Sequence, residues 1–139
     1  MRLTMKHYSI LYFATLTIMA VLDFSWLSGI ARDFYETRIG DLLEFHLAPA
    51  IVFYLVYVTG VMVFVSGNTA TTKWQSVALY GGLFGFFAYA TYDLTNMATL
   101  RGWSLSVVIV DIAWGTFNTA ISATSGWLIA GFFARRQPN

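Results

Sequence analysis

Three aspartates interrupt otherwise apolar stretches of the chain, where a carboxyl group is costly. Asp23, Asp93 and Asp111 each lie inside a long hydrophobic segment. Placing an aspartate near the middle of a membrane helix costs roughly 2.5 to 3.5 kcal/mol. Acids kept at that cost commonly mark an ion, proton or substrate site. Asp93 and Asp111 are also candidate catalytic residues, because two carboxyls in different environments can divide the roles of general acid and general base.

Other polar side chains recur at helical spacing around these acids. From Asp111 to Ser122, polar or small residues follow at intervals of four, three and four, which places them on one helical face. A similar face carries Tyr89, Asp93 and Asn96. The sequence therefore predicts a ligand-binding cluster made of Asp23, Trp26, Tyr89, Asp93, Asn96, Asp111, Trp114 and Asn118. It assigns no metal ligands, and it leaves the identity of any cofactor open.

The first and fourth hydrophobic segments share a short pattern, in which a tryptophan follows an aspartate three residues later. The two copies are Asp23 with Trp26 and Asp111 with Trp114. Because these two helices would run in opposite directions, we expect the two tryptophans at different depths. We interpret the repetition as mostly coincidental.

The composition is that of an integral membrane protein. Of 139 residues, 58% are hydrophobic and 11% are charged, whereas soluble domains contain about 25% charged residues. Four segments reach the roughly 20 residues that a helix needs to cross the hydrocarbon core, at about 8–30, 47–66, 76–100 and 105–133. The predicted fold is all-α, an integral membrane four-helix bundle in which residues 1–139 form a single transmembrane domain. Between the first two spans, charged and apolar residues alternate as in an interfacial amphipathic turn of helix.

The distribution of cations predicts the orientation in the membrane. With four spans, five cations lie on the side of the two termini and three on the other side; the first group is Arg2, Lys6, Lys73, Arg135 and Arg136, and the second is Arg32, Arg38 and Arg101. The positive-inside rule then places both termini in the cytoplasm of a multi-pass protein of the cell inner membrane. At a rise of about 1.5 Å per residue, all three aspartates fall in the outer half of the bilayer.

Composition also limits the partners. The chain has no cysteine, so it forms neither a disulfide nor a thiolate metal site. Its net charge of +1 argues against a nucleic-acid partner. The lipid bilayer is the predicted partner, and so short a chain would need to form a homo-oligomer to complete a transport pathway.

Several local motifs give the chain a family resemblance. They are the stretch from Tyr89 to Asn96 (Tyr-Ala-Thr-Tyr-Asp-Leu-Thr-Asn) followed by Ala98-Thr99-Leu100 and Trp103, the stretch from Asp111 to Gly115 (Asp-Ile-Ala-Trp-Gly), and Leu22-Asp23 with Trp26, then Phe34-Tyr35. Over nearly its whole length the chain resembles the bacterial predicted membrane proteins grouped as domain of unknown function 2177. The resemblance implies a four-helix membrane protein whose recurring motifs include Asp23, Asp93, Asn96, Asp111 and Trp114. It implies nothing about activity.

Three functions are compatible with these features. The first is a small transporter or a ligand- or ion-binding protein, with the acids lining an outward-facing polar cavity. The second is a membrane-embedded enzyme for a lipid or another hydrophobic substrate, in which Asp93 and Asp111 do the chemistry, although no known catalytic signature is present. The third is a structural or accessory subunit of a membrane complex, which only the small size suggests.

Overall fold

The computed structural model describes residues 4–136, and among these residues it contains helices and no strand. Five α-helices follow in order: α1 (Met5–Ser25), α2 (Arg32–Ile39), α3 (Leu47–Val61), α4 (Trp74–Thr99) and α5 (Leu105–Arg135). A π-helical turn extends α1 over Trp26–Ile30, and another extends α3 over Met62–Ser66. Arg2, one of the cations used to predict the orientation, lies outside the described residues.

Three of the four predicted spans form helices that are long and apolar enough to cross a membrane. They are Met5–Ile30, Leu47–Ser66 and Leu105–Arg135. The remaining prediction, 76–100, corresponds to α4, a helix of 26 residues. Its length would suffice to cross a bilayer, but glycines and tyrosines make it less apolar than the other three helices. The all-α prediction is confirmed, and the fourth crossing stays a prediction.

Small residues let α4 and α5 pack closely from Gly81 to Asp93. A Cβ added at Gly85 would meet the backbone oxygen of Gly115 and the side chain of Thr119. Such close approach is typical of helix pairs in membranes, where small residues allow van der Waals contact between backbones. α1 packs on another face of α5, which is therefore the central helix of the fold.

α3 joins the other helices mainly through its last turns. Its buried residues are Tyr57, Val58 and Val61, and they belong to one core cluster with Met19 of α1 and other buried residues. In its first half, apolar side chains such as Val52 are instead exposed. The two ends of the molecule therefore differ: one half is a packed core, and in the other half α3 borders a cavity.

α2 closes over the end of the molecule that carries this cavity. Its buried residues Tyr35 and Ile39 pack with Ala31 and with Val107 of α5. The prediction of a helical turn in the segment between the first two spans is thus confirmed. The packing of α2 matters for function because it brings Tyr35 among the aspartates.

Candidate functional site

The structure brings the three aspartates together, although they come from three helices. Asp111 on α5 lies between the other two, within electrostatic range of Asp23 on α1 and within reach of the Asp93 carboxyl on α4. The antiparallel course of α1 and α5 produces this meeting, since Asp23 lies near the end of α1 and Asp111 near the start of α5.

Asp23 is held by three hydrogen-bond donors from two other helices. The indole Nε1 of Trp114 donates to its Oδ1 over 2.8 Å, and the amide Nδ2 of Asn118 donates to the same oxygen over 2.7 Å. The hydroxyl of Tyr54 donates to Oδ2 over 2.9 Å. Asn118 is fixed in turn, because the hydroxyl of Ser122 donates to its Oδ1 over 2.9 Å. Asp23 therefore joins α1, α3 and α5, and it accepts hydrogen bonds in the way an ionised carboxylate does.

Asp111 accepts a hydrogen bond from α2. The hydroxyl of Tyr35 donates to Asp111 Oδ1, and the indole Nε1 of Trp26 donates to the Tyr35 oxygen over 3.1 Å. Burial raises the pKa of Tyr35 above its usual value, and the hydrogen bond to Asp111 raises it further. Tyr35 therefore stays a protonated donor across the ordinary pH range, and the chain of bonds runs from Trp26 through Tyr35 to Asp111.

Asp93 differs from the other two aspartates. Its side chain is 0% exposed, and neither carboxyl oxygen has a hydrogen-bond partner among the described residues. The groups closest to it are the Asp111 carboxyl and the indole of Trp103, whose Nε1 is also buried without a partner. Buried polar groups are nearly always hydrogen-bonded, so this pair of carboxyls is the most unusual feature of the site.

Trp26 and Trp114 stack face to face, so the expectation that they lie at different depths is wrong. Their ring centroids are 4.3 Å apart, and the ring planes differ by 6°. In antiparallel helices, the tryptophan of each copy of the pattern comes level with the aspartate of the other copy. The backbone positions of the two tryptophans therefore differ in height, and the two large indoles extend toward each other and stack. The two copies of the pattern therefore meet at the contact between α1 and α5.

A cavity of about 690 Å³ adjoins these side chains. Binding sites for small molecules commonly measure about 300 to 1,000 Å³. Its walls come from the end of α1, from α2, from the first half of α3, from α4 and from α5. The lining is mainly aromatic and includes Trp26, Phe53, Tyr54, Tyr89, Tyr92 and Trp114. Asp23 and Asp111 reach the cavity, and Arg32, Glu36 and Glu44 stand at its charged end.

A family model with the description predicted membrane protein (DUF2177) matches residues 8–128 of the chain. The chain belongs to this family. The matched region runs from α1 through most of α5 and contains every side chain of the site described above. The description shows a membrane protein and names no activity. No curated protein and no solved structure matches the chain significantly.

The predicted ligand-binding residues of this family member divide into two groups. Asp23, Trp26, Tyr89, Asp111 and Trp114 line the cavity, whereas Asp93, Asn96 and Asn118 do not. Asn118 is wholly buried as a donor to Asp23, and Asp93 lies behind Asp111. Asn96 is half-buried on α4, one turn beyond Tyr92.

Six aromatic residues that line the cavity were missing from the predicted set. They are Tyr35, Phe45, Phe53, Tyr54, Tyr92 and Trp103. Their sequence positions place them in an interfacial segment or on helix faces shared with lipid-facing residues. The signal that could have found Tyr35 is the Phe34-Tyr35 pair among the motifs of the family resemblance, and that signal does not say which acid Tyr35 contacts.

Tyr89 owes its position to a glycine. A Cβ at Gly115 would overlap the ring of Tyr89, so the ring lies directly against the α5 backbone. From there Tyr89 is within electrostatic range of both Asp23 and Asp111. Its ring also meets that of Tyr57 edge to face at 6.3 Å. Because Gly115 has no side chain, the Tyr89 ring can bound the cavity between the two acids.

Proposed function

We propose that this membrane protein binds an amphiphilic cation in the aromatic cavity, with the cationic group against Asp111 and Asp23. The observation that carries the proposal is a cavity in which two carboxyls meet a lining rich in aromatic side chains. Its volume is in the range of sites that bind small molecules. Ligand sites are characteristically apolar with a few convergent polar groups that fix orientation. Here the convergent groups are acidic.

The charge of the cavity supports a cationic ligand. Asp23 and Asp111 face it, and Glu36 and Glu44 lie at its charged end. Among the described residues that line the cavity, Arg32 is the one cation, and it is exposed and already paired with Glu36 at 2.9 Å. Aromatic faces also attract ammonium groups, by about 2 kcal/mol or more where water is excluded. The indoles of Trp26 and Trp114 cover each other on their inner faces, so their outer faces would meet such a group in the cavity that they line with the two acids.

The apolar surroundings support an amphiphile instead of a bare metal ion. No group of three or more acidic or histidine ligands is arranged for a metal within residues 4–136. The cavity wall formed by α3 carries Phe53, and apolar side chains of that half of α3 face outward. A hydrocarbon tail would lie along these surfaces, while the headgroup meets the carboxyls.

The cavity is closed at its inner end, and this favours ligand binding over transport as the activity of the protein. Beyond Tyr89, the core of Met19, Tyr57, Val58 and Val61 is packed and fully buried. The hydroxyls of Tyr57 and Thr119 hydrogen-bond each other at 2.8 Å within it. A ligand that entered the cavity would therefore meet a wall partway along the helices.

For the orientation, we propose four crossings with both termini in the cytoplasm of a bacterial cell. The support is the excess of cations in the terminal segments and in the loop between α3 and α4. α4 would be the fourth crossing, shielded by its long contact with α5. The acidic cavity would then open toward the outer surface of the inner membrane.

Tryptophan fluorescence tests the proposed ligand, because Trp26, Trp103 and Trp114 line the cavity. The purified protein in the neutral detergent dodecyl maltoside is titrated with dodecyltrimethylammonium, dodecyl sulfate and dodecanol. We expect saturable quenching by the cation alone. The variant Asp111→Asn should weaken that binding at least tenfold, since it removes the charge that faces the headgroup.

The matched control is Asp33→Asn, which removes a charge from the exposed side of α2. It should bind the cation like the unaltered protein. Equal responses to all three amphiphiles, or unchanged binding by Asp111→Asn, would contradict the proposal. Saturable binding of dodecyl sulfate alone would reverse the charge we assign to the ligand.

A further inference from the structure

The buried carboxyl of Asp93 lies beside two groups, the indole of Trp103 and the carboxyl of Asp111, and the two carboxyls can hydrogen-bond each other only through a proton. Both Asp93 oxygens are buried without a partner among the described residues. A carboxyl pair forms a hydrogen bond only when one member is protonated, because ionised carboxylates are acceptors only. Asp111 already accepts a hydrogen bond from Tyr35. The proton of the pair therefore belongs to Asp93, next to the Asp111 carboxylate.

We propose that a cationic headgroup seated against Asp111 displaces the proton of Asp93, so that ligand binding releases one proton at neutral pH. This inference rests on the proposed function. Before binding, the pair holds one proton and one negative charge. After binding, both carboxyls are ionised, with the cation against Asp111 and Asp93 behind it, and the proton leaves to the solution by way of Asp111, which lines the cavity. One positive charge replaces another, so the charge of the site is conserved.

The groups around the pair favour such an exchange, because none of them supplies a fixed positive charge. Asp111 faces Tyr35 of α2, Asp23 of α1, and the Tyr89 and Tyr92 hydroxyls of α4. Asp93 faces Asp111 and the indole of Trp103. Within residues 4–136, basic side chains form ion pairs only with Glu36 and Glu44. One of the two charges of the pair is therefore neutralised by a proton or by a ligand cation.

Calorimetry measures the released proton directly. The protein is titrated with dodecyltrimethylammonium at about pH 7 in phosphate and in Tris, two buffers whose enthalpies of ionisation differ widely. We expect the binding enthalpies to differ by an amount that corresponds to about one proton per bound cation. Affinity should also fall about tenfold when the pH is lowered by one unit, as linkage to one proton requires.

Asp93→Asn separates this inference from the proposed function. The asparagine amide can still donate to Asp111, so the variant should bind the cation, with the same enthalpy in both buffers and with little dependence on pH. Equal enthalpies in the two buffers for the unaltered protein would overturn the proton exchange and leave the binding site intact. Absence of binding by the unaltered protein would overturn both. If Asp93→Asn fails to fold, the buffer comparison on the unaltered protein still decides the question.

Discussion

Replacing Asp23 by leucine should loosen the bundle, because one carboxylate holds three helices together. Leucine is similar in size to aspartate and has no acceptor. The substitution leaves the donors of Tyr54, Trp114 and Asn118 without the oxygens that now receive them at 2.7 to 2.9 Å. Unlike the Asp93–Asp111 pair, Asp23 has its hydrogen bonds satisfied, so its main contribution is to stability.

The expected loss follows from the number of bonds. Side-chain hydrogen bonds between membrane helices contribute about 0.6 kcal/mol on average and about 1.7 kcal/mol at most. Three bonds to one carboxylate therefore correspond to a decrease of about 2 to 5 kcal/mol in the free energy of unfolding. Asp23→Asn should lose much less, about 1 kcal/mol, because its Oδ1 still accepts from Trp114 and Asn118, and its amide can donate to the Tyr54 oxygen.

Unfolding in mixed micelles of dodecyl maltoside and dodecyl sulfate, followed by circular dichroism, measures these differences. Asp33→Leu is the control, since Asp33 is exposed on α2. The order of stability should be unaltered protein, then Asp23→Asn, then Asp23→Leu. Our reasoning about Asp23 fails if Asp23→Leu unfolds together with the control, or if Asp23→Asn loses as much as Asp23→Leu.

Two further expectations concern packing and orientation. Gly115→Ala should lower the free energy of unfolding by about 1 to 3 kcal/mol, because the new Cβ meets the Tyr89 ring. The control Gly40→Ala should have little effect, since nothing lies within 4 Å of its Cβ. Equal losses for the two variants in micelle unfolding would refute the contact. The absence of cysteine allows single-cysteine labelling. A membrane-impermeant maleimide added to intact cells should label Arg101→Cys and not Thr69→Cys, and the reverse pattern would invert the proposed orientation.

The sequence determined the helices, and it predicted that the acids meet. Hydrophobic length predicted the helices from 8–30, 47–66, 76–100 and 105–133, and each has a counterpart in the structure. Because the rise per residue is constant, the position of an aspartate along its segment also predicted its depth. Helix direction then predicted that Asp23, Asp93 and Asp111 lie at one level, and the structure brings them together.

Only the tertiary structure decided which donor reaches which acid. Periodicity identifies the face of a helix, but it fixes neither the rotation of that face toward a neighbour nor the distance between the helices. Trp114 reaches Asp23 across 91 positions of sequence, and Tyr35 reaches Asp111 across 76. Packing sets these pairs: close glycine contacts hold α4 and α5 together, and α2 folds back over the end of the bundle. Asp23 thereby accepts hydrogen bonds that join three helices, while both carboxyl oxygens of Asp93 are buried without a hydrogen-bond partner among the described residues.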